Sequence, residues 1–249
     1  MNKKLFASVI VLAFAVLACS FSSVVTPTPT NVPPVVPTAV VVQPTQTSPV
    51  QQSLTELPFI DDFSNVNTGW EIGDYDNGSV GYGSGYYFVK ATSKGVNMYG
   101  AAFQNDQTTA IYNVQDVVIA VDVSQVSGPS DNNTGYGVIC RLQTGDEGYY
   151  FRIGGDGTFS VDVASGGNFT TLLAGDRWQA ASSVNQGNAT NHLVVTCNAD
   201  HLIFEVNGVA LFDKYDSTYT AGGIGLLGVI YEDNAAAEYH FTNFMASKP

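Results

Sequence analysis

The stretches YGVICRLQ (136–143) and YYFRI (149–153) alternate apolar and other side chains with a period of two. Successive side chains of a strand point to opposite faces, so Tyr136, Val138, Cys140 and Leu142 fall on one face and Gly137, Ile139, Arg141 and Gln143 on the other. Tyr149, Phe151 and Ile153 oppose Tyr150 and Arg152 in the same way. Just upstream, Val117, Ile119, Val121 and Val123 oppose Val118, Ala120 and Asp122. Three strands therefore each carry a charged side chain opposite an apolar face. If they are adjacent, Asp122, Arg141 and Arg152 share one surface.

Runs of the same kind recur at 86–91, 98–104, 158–163, 169–173, 192–197, 202–206, 209–212, 224–230 and 238–244. Asn207 and Gly208 separate two of them, and an Asn-Gly pair suits a two-residue type I′ hairpin. The run Gly154, Gly155, Asp156 and Gly157 plays the corresponding role before Thr158. No window sustains a helical period, so almost no helix is expected. Composition agrees: Gly (25), Tyr (13) and Phe (14) are abundant, and only 12% of the 249 residues are charged.

The chain opens differently. Lys3 and Lys4 precede an uncharged apolar run over 5–18, too short to cross a ~30 Å hydrocarbon core as a helix, which reads as a signal peptide (1–18). Leu17, Ala18, Cys19 and Ser20 resemble the bacterial lipobox, which implies a lipidated Cys19 and a protein tethered to the membrane by acyl chains, extracytoplasmic and displayed at the cell surface. The segment 19–57 is rich in Pro, Thr and Val, with Glu56 its one charge. Pro favours extended polyproline II, so this linker would act as a spacer reaching on the order of 100 Å.

The domain proper is expected over 58–249, long enough for one large β-sandwich core. The whole chain carries a net charge of −13, and removing Lys3, Lys4 and Glu56 from the count leaves the domain more acidic still. Such a surface repels phosphate and argues against nucleic acid as a partner.

Several motifs appear in order: DDF (61–63) and Trp70, GVICRLQ (137–143), YYFRI (149–153), NHLVVTC (191–197), VNG (206–208), GGIGLL (222–227) and FTNF (241–244). Together they resemble the concanavalin A-like jelly rolls of laminin G and of the bacterial 3-keto-disaccharide hydrolase-like family, over essentially all of 58–249. The resemblance implies an all-β jelly-roll sandwich. Members of the family typically close on Asp-Asn-Phe, and Thr242 stands in the Asp position here. This fold hosts lectins, glycosidases and adhesion modules, so it does not by itself imply an activity.

The six Glu residues, 56, 71, 147, 205, 232 and 238, do not form the Glu–Asp–Glu strand spacing that glucanases on this fold use, and no catalytic residue is assigned. His192, His201 and His240 lack metal-ligand spacing. No cofactor is implied beyond Asp74, Asp76, Asn77 and Gly78, a short acidic turn that reads either as an Asx turn or as a holder of a structural Ca²⁺. Cys140 and Cys197, an even pair in an exported domain, suggest a disulfide across neighbouring strands. Sugar rings stack on aromatic faces, which makes Trp70, Tyr82, Tyr150 and Trp178 candidate platforms beside Asp122, Arg141 and Arg152. The expected function is a lectin-like module binding polysaccharide or glycan without catalysis. The alternatives are a glycoside-processing hydrolase and a cell-envelope interaction or adhesion module.

Overall fold

The computed structural model describes residues 57–102 and 113–249. The expected signal segment, Cys19, nearly all of the linker and the end of the 98–104 run lie outside the described residues. Leu57, the last linker position, packs against the core.

Among the described residues the chain forms strands and no helix. The first half contains β1 (Phe59–Asp61), β2 (Gly73–Tyr75), β3 (Gly78–Tyr82), β4 (Tyr87–Ala91), β5 (Met98–Ala101), β6 (Val117–Ser127), β7 (Thr134–Leu142) and β8 (Gly148–Ile153). The second contains β9 (Thr158–Ser165), β10 (Asn168–Thr171), β11 (Gln179–Ala180), β12 (Asn191–Asn198), β13 (His201–Val206), β14 (Val209–Tyr215), β15 (Gly223–Ile230) and β16 (Ala237–Ser247). Two antiparallel sheets result. One is nine-stranded, in the order β14-β13-β12-β6-β16-β4-β3-β2 with β1 also on β16, and the other seven-stranded, β10-β9-β8-β7-β15-β5 with β11 on β9. The chain changes sheet between β4 and β5, β5 and β6, β6 and β7, β11 and β12, β14 and β15, and β15 and β16. This is the jelly-roll sandwich expected from the sequence.

The inner faces carry the core. Val117, Ile119, Val121 and Val123 of β6, Tyr136, Val138 and Cys140 of β7, and Tyr149, Phe151 and Ile153 of β8 are all fully buried in one cluster. Each large apolar side chain so buried contributes roughly 1.5–3 kcal/mol relative to exposure. Asn207 and Gly208 close the β13–β14 hairpin with φ of 53° and 79°, the positive pair a type I′ turn needs.

Three expectations are corrected. Asp122 lies on β6 in the nine-stranded sheet, whereas Arg141 and Arg152 lie on β7 and β8 in the other, so the three do not share a surface. The crossover between β6 and β7 separates them, and alternation along a strand carries no information about sheet membership. Arg141 is itself the extra residue of a β-bulge: Gly223 pairs with Leu142 and Ile224 with Cys140, leaving Arg141 between them at φ 55°. Beyond it the alternation flips, and Leu142 joins Ile139, Tyr150 and Leu227 in a small cluster on the outer face, away from Cys140. Finally, Cys140 and Cys197 are disulfide-bonded, as expected, but join β7 to β12 across the sandwich instead of linking neighbours within a sheet.

Candidate functional site

Most of the candidate residues have been recruited to structure. Trp70 is fully buried, its Nε1 donating to Asp61 Oδ2 at 3.1 Å and its ring meeting Phe244 edge-on at 4.9 Å. Tyr82, half-buried, accepts the Trp70 amide at 2.9 Å and bonds Thr68. The DDF–Trp70 signature thus builds a corner of the core. Asp122 accepts from His192 Nδ1 at 2.6 Å and from Asn243 Nδ2 at 2.8 Å. Asn243, at φ 52°, lies where the β16 register shifts, so the FTNF motif here pins a bulge to β6 and β12. Arg141 is buried and donates to the carbonyls of Tyr219 (2.6 Å) and Gln115 (3.2 Å), with Asp116, not Asp122, as its nearest acid at 3.9 Å.

Tyr150, Arg152 and Trp178 do come together, on the outer face of the seven-stranded sheet. Arg152 is almost fully buried and pairs with the buried Asp162, donates through Nε to Ser160 Oγ at 3.2 Å and through Nη1 to Asn97 Oδ1 at 3.4 Å. Its guanidinium lies within 5.9 Å of the Tyr150, Phe169 and Trp178 ring centres. Trp178 meets Tyr231 edge-on at 5.9 Å and lies over Gly135, where a Cβ would stand 3.0 Å from its ring. Burial holds the Tyr231 phenol above its ordinary pKa, against the pull of Arg152 and Arg177.

Arg152 and Tyr150 also support an open groove at the edge of this sheet. Glu71, Tyr75, Asn77, Asn97, Met98, Tyr99 and Asp146 line a space of about 180 Å³. Asn97 is held from beneath by Arg152, and Tyr150 Oη donates to the Asp146 carbonyl at 2.7 Å. Tyr99 Oη donates to Asp146 Oδ1 at 2.5 Å, and Tyr75 Oη donates to Glu71 Oε1. Desolvation, then the hydrogen bond to Glu71, pushes Tyr75 up to about 12, and desolvation followed by Asp146 raises Tyr99 further. Both phenols stay protonated and spend their protons on the carboxylates. The groove therefore offers mainly acceptors, with the Asn77 and Asn97 amides as donors.

Of the groove residues only Asn77 belongs to a sequence candidate, the short acidic turn at 74–78. Asp76 and Asn77 form the β2–β3 turn, with the Asn77 carbonyl accepting Thr92 N–H at 3.0 Å. No group of three or more His, Cys, Asp or Glu converges on a metal-sized site among the described residues. The remaining groove residues come from separate segments with no shared spacing, so no sequence signal unites them.

No protein-family model matches the chain, and no curated protein matches it in sequence. Solved structures do resemble it in fold. The carbohydrate binding module CBM66 from Bacillus subtilis is 14% identical, with 72% of this chain and 96% of that chain covered and a TM-score of 0.51. A Bacillus subtilis protein of unknown function with a galectin-like fold gives 10%, 76%, 94% and 0.52. The cellulose induced protein Cip1 gives 14%, 77%, 97% and 0.51. At these identities the likeness is one of fold alone: the chain is an all-β jelly-roll sandwich.

Proposed function

We propose that this protein is a surface-displayed module, lipid-anchored through Cys19, that binds polysaccharide or glycan without catalysis. The groove carries the reading. It is open and polar, of a size to receive one sugar ring, with the Asn97 side chain and the Asp146 backbone held by buried partners and Tyr75 and Tyr99 bonded to Glu71 and Asp146, so that little ordering accompanies binding. CBM66 among the structural neighbours supports the same class of ligand. The residues Lys3, Lys4 and Leu17 to Ser20 support export and anchoring, and the Cys140–Cys197 disulfide suits an oxidising compartment.

Affinity electrophoresis and a glycan array with the full-length protein test the binding. Retention by at least one glycan is expected, weakened by Glu71→Gln or Tyr99→Phe and unaffected by Asp122→Asn, which does not line the groove. Absence of retention on every glycan, or indifference to both groove substitutions, would overturn the proposal. Labelling with radioactive palmitate, lost on Cys19→Ala, tests the anchor.

One observation favours a second reading: Glu71 and Asp146, two carboxyl groups, face the same groove. A glycoside-processing enzyme would release reducing sugar, and its Glu71→Gln variant would keep binding while losing turnover.

A further inference from the structure

Beside the Arg152–Asp162 pair stands a second arginine that the groove does not use. Arg177 donates through Nε to Asp162 Oδ1 at 2.9 Å, and its guanidinium carbon lies 5.4 Å from the centre of the Phe169 ring. Asp162 is fully buried, while the Arg177 side chain is 43% exposed. Among the described residues no hydrogen bond runs from either Nη of Arg177, whose side chain is 43% exposed, so the end of the fork keeps two parallel N–H donors for a ligand. Its direction is fixed at one edge by a buried carboxylate and on one face by an aromatic ring.

The charge count is local and uneven. Two arginines share one buried carboxylate, so the Arg152–Asp162–Arg177 cluster itself is net positive in a protein of net charge −13, with Asp176 the adjacent exposed acid. The site adjoins the groove through a chain of contacts: Asn97 lines the groove and accepts from Arg152, and Arg152 and Arg177 meet on Asp162. A planar guanidinium presenting two parallel donors matches a carboxylate bidentately. The groove itself presents Glu71 and Asp146 and no cation, so it repels a second acid on the same ligand.

Resting on the glycan-binding reading, we infer that Arg177 recognises the carboxylate of a single uronate carried by an otherwise neutral glycan. Polyuronates are disfavoured because neighbouring acids would meet Glu71, Asp146 and the acidic surface. Beyond a Debye length of about 8 Å at physiological salt the remote acids are screened, and the local positive site decides.

A glycan array probed with the full-length protein at 0.15 M NaCl tests this, provided each neutral backbone is printed unsubstituted, with one glucuronate branch, with one sulfate ester, and as a polyuronate where one exists. For every backbone retained, the mono-glucuronate form should bind about tenfold tighter than the neutral one, the size of one well-placed charged pair of about 1.4 kcal/mol. Arg177→Gln should erase that difference while keeping neutral binding, and Arg177→Lys, which retains the charge but loses the fork, should reduce it. Equal binding of neutral and glucuronate forms, or preference for sulfate or polyuronate, would overturn the inference and leave the glycan-binding reading standing. Retention of no glycan would overturn both.

Discussion

Arg152 on β8 and Asp162 on β9 pair with both side chains almost fully withdrawn from water, and they do so diagonally, since the direct cross-strand neighbour of Asp162 is Tyr150. The pair ties the sheet to Asn97 and to the ring of Trp178, and so fixes the wall of the groove. Removing Arg152 strands a buried carboxylate with only the half-exposed Arg177 beside it. Arg152→Ala is expected to cost about 3–5 kcal/mol, read from urea unfolding. Arg177→Ala, which removes a partly solvated partner, should cost no more than about 1 kcal/mol. The reverse ranking would show that the buried pair is not the pin.

Much of the sandwich is readable from periodicity because one face of each long strand must be apolar: β6, β8, β12 and β15 lie close to where alternation puts them. The short strands β1, β2, β3 and β11 escape it, as three to five residues, or two in β11, show no period and are held by their neighbours. The bulge at Arg141 was illegible for a different reason. It adds one residue against Gly223 and Ile224, partners whose identity depends on register between segments distant in sequence. The candidate site divides similarly. Tyr150 and Arg152 stand out by alternation, whereas Glu71, Asn97, Tyr99 and Asp146 meet only through the sheet order.

The Cys140–Cys197 bridge closes a separation of 57 residues between opposite sheets. On the chain-entropy account such a link contributes about 4 kcal/mol. Double substitution Cys140→Ala/Cys197→Ala, or prior reduction, should shift the urea midpoint downward by a comparable loss without changing the far-ultraviolet dichroism in the absence of denaturant. An unchanged midpoint after complete reduction would contradict this.

Asp61 accepts both the Phe63 amide at 2.8 Å and the Trp70 indole N–H at 3.1 Å inside the core. Burial raises its pKa above the ordinary 3.8, outweighing those hydrogen bonds. Asp61→Ala orphans two buried donors and should cost about 2–4 kcal/mol, with a change in Trp70 fluorescence that reports the loosened corner. Because the folded value is raised, the charge on Asp61 works against folding, and the stabilisation from its neutral form is lost as pH rises through that value. Asp61→Asn should therefore remove part of the pH dependence on the acid side above pH 3.8.

Tyr149 donates its phenolic proton to Asp216 Oδ1 at 2.6 Å, and the two groups titrate in opposite directions. Burial, followed by the bond to Asp216, pushes Tyr149 up to about 12 from 10.0. Its contribution is complete below pH 10 and is lost as pH rises toward 12. Asp216 is lowered from 3.8: burial acts to raise it, but hydrogen bonds from Tyr149 and Thr218 prevail. Its contribution is present above pH 3.8 and is lost as pH falls through the lower folded value. The stability curve should thus show losses at both ends, on the order of 1–3 kcal/mol at the alkaline end from this phenol. Tyr149→Phe should flatten both limbs, since Asp216 then loses a principal donor. Asp216→Asn should remove the acid limb from this site yet leave most of the alkaline one, because burial is the larger cause of the Tyr149 shift. Urea midpoints measured from pH 2 to 11 separate these outcomes, and parallel curves for the three proteins would refute the coupling.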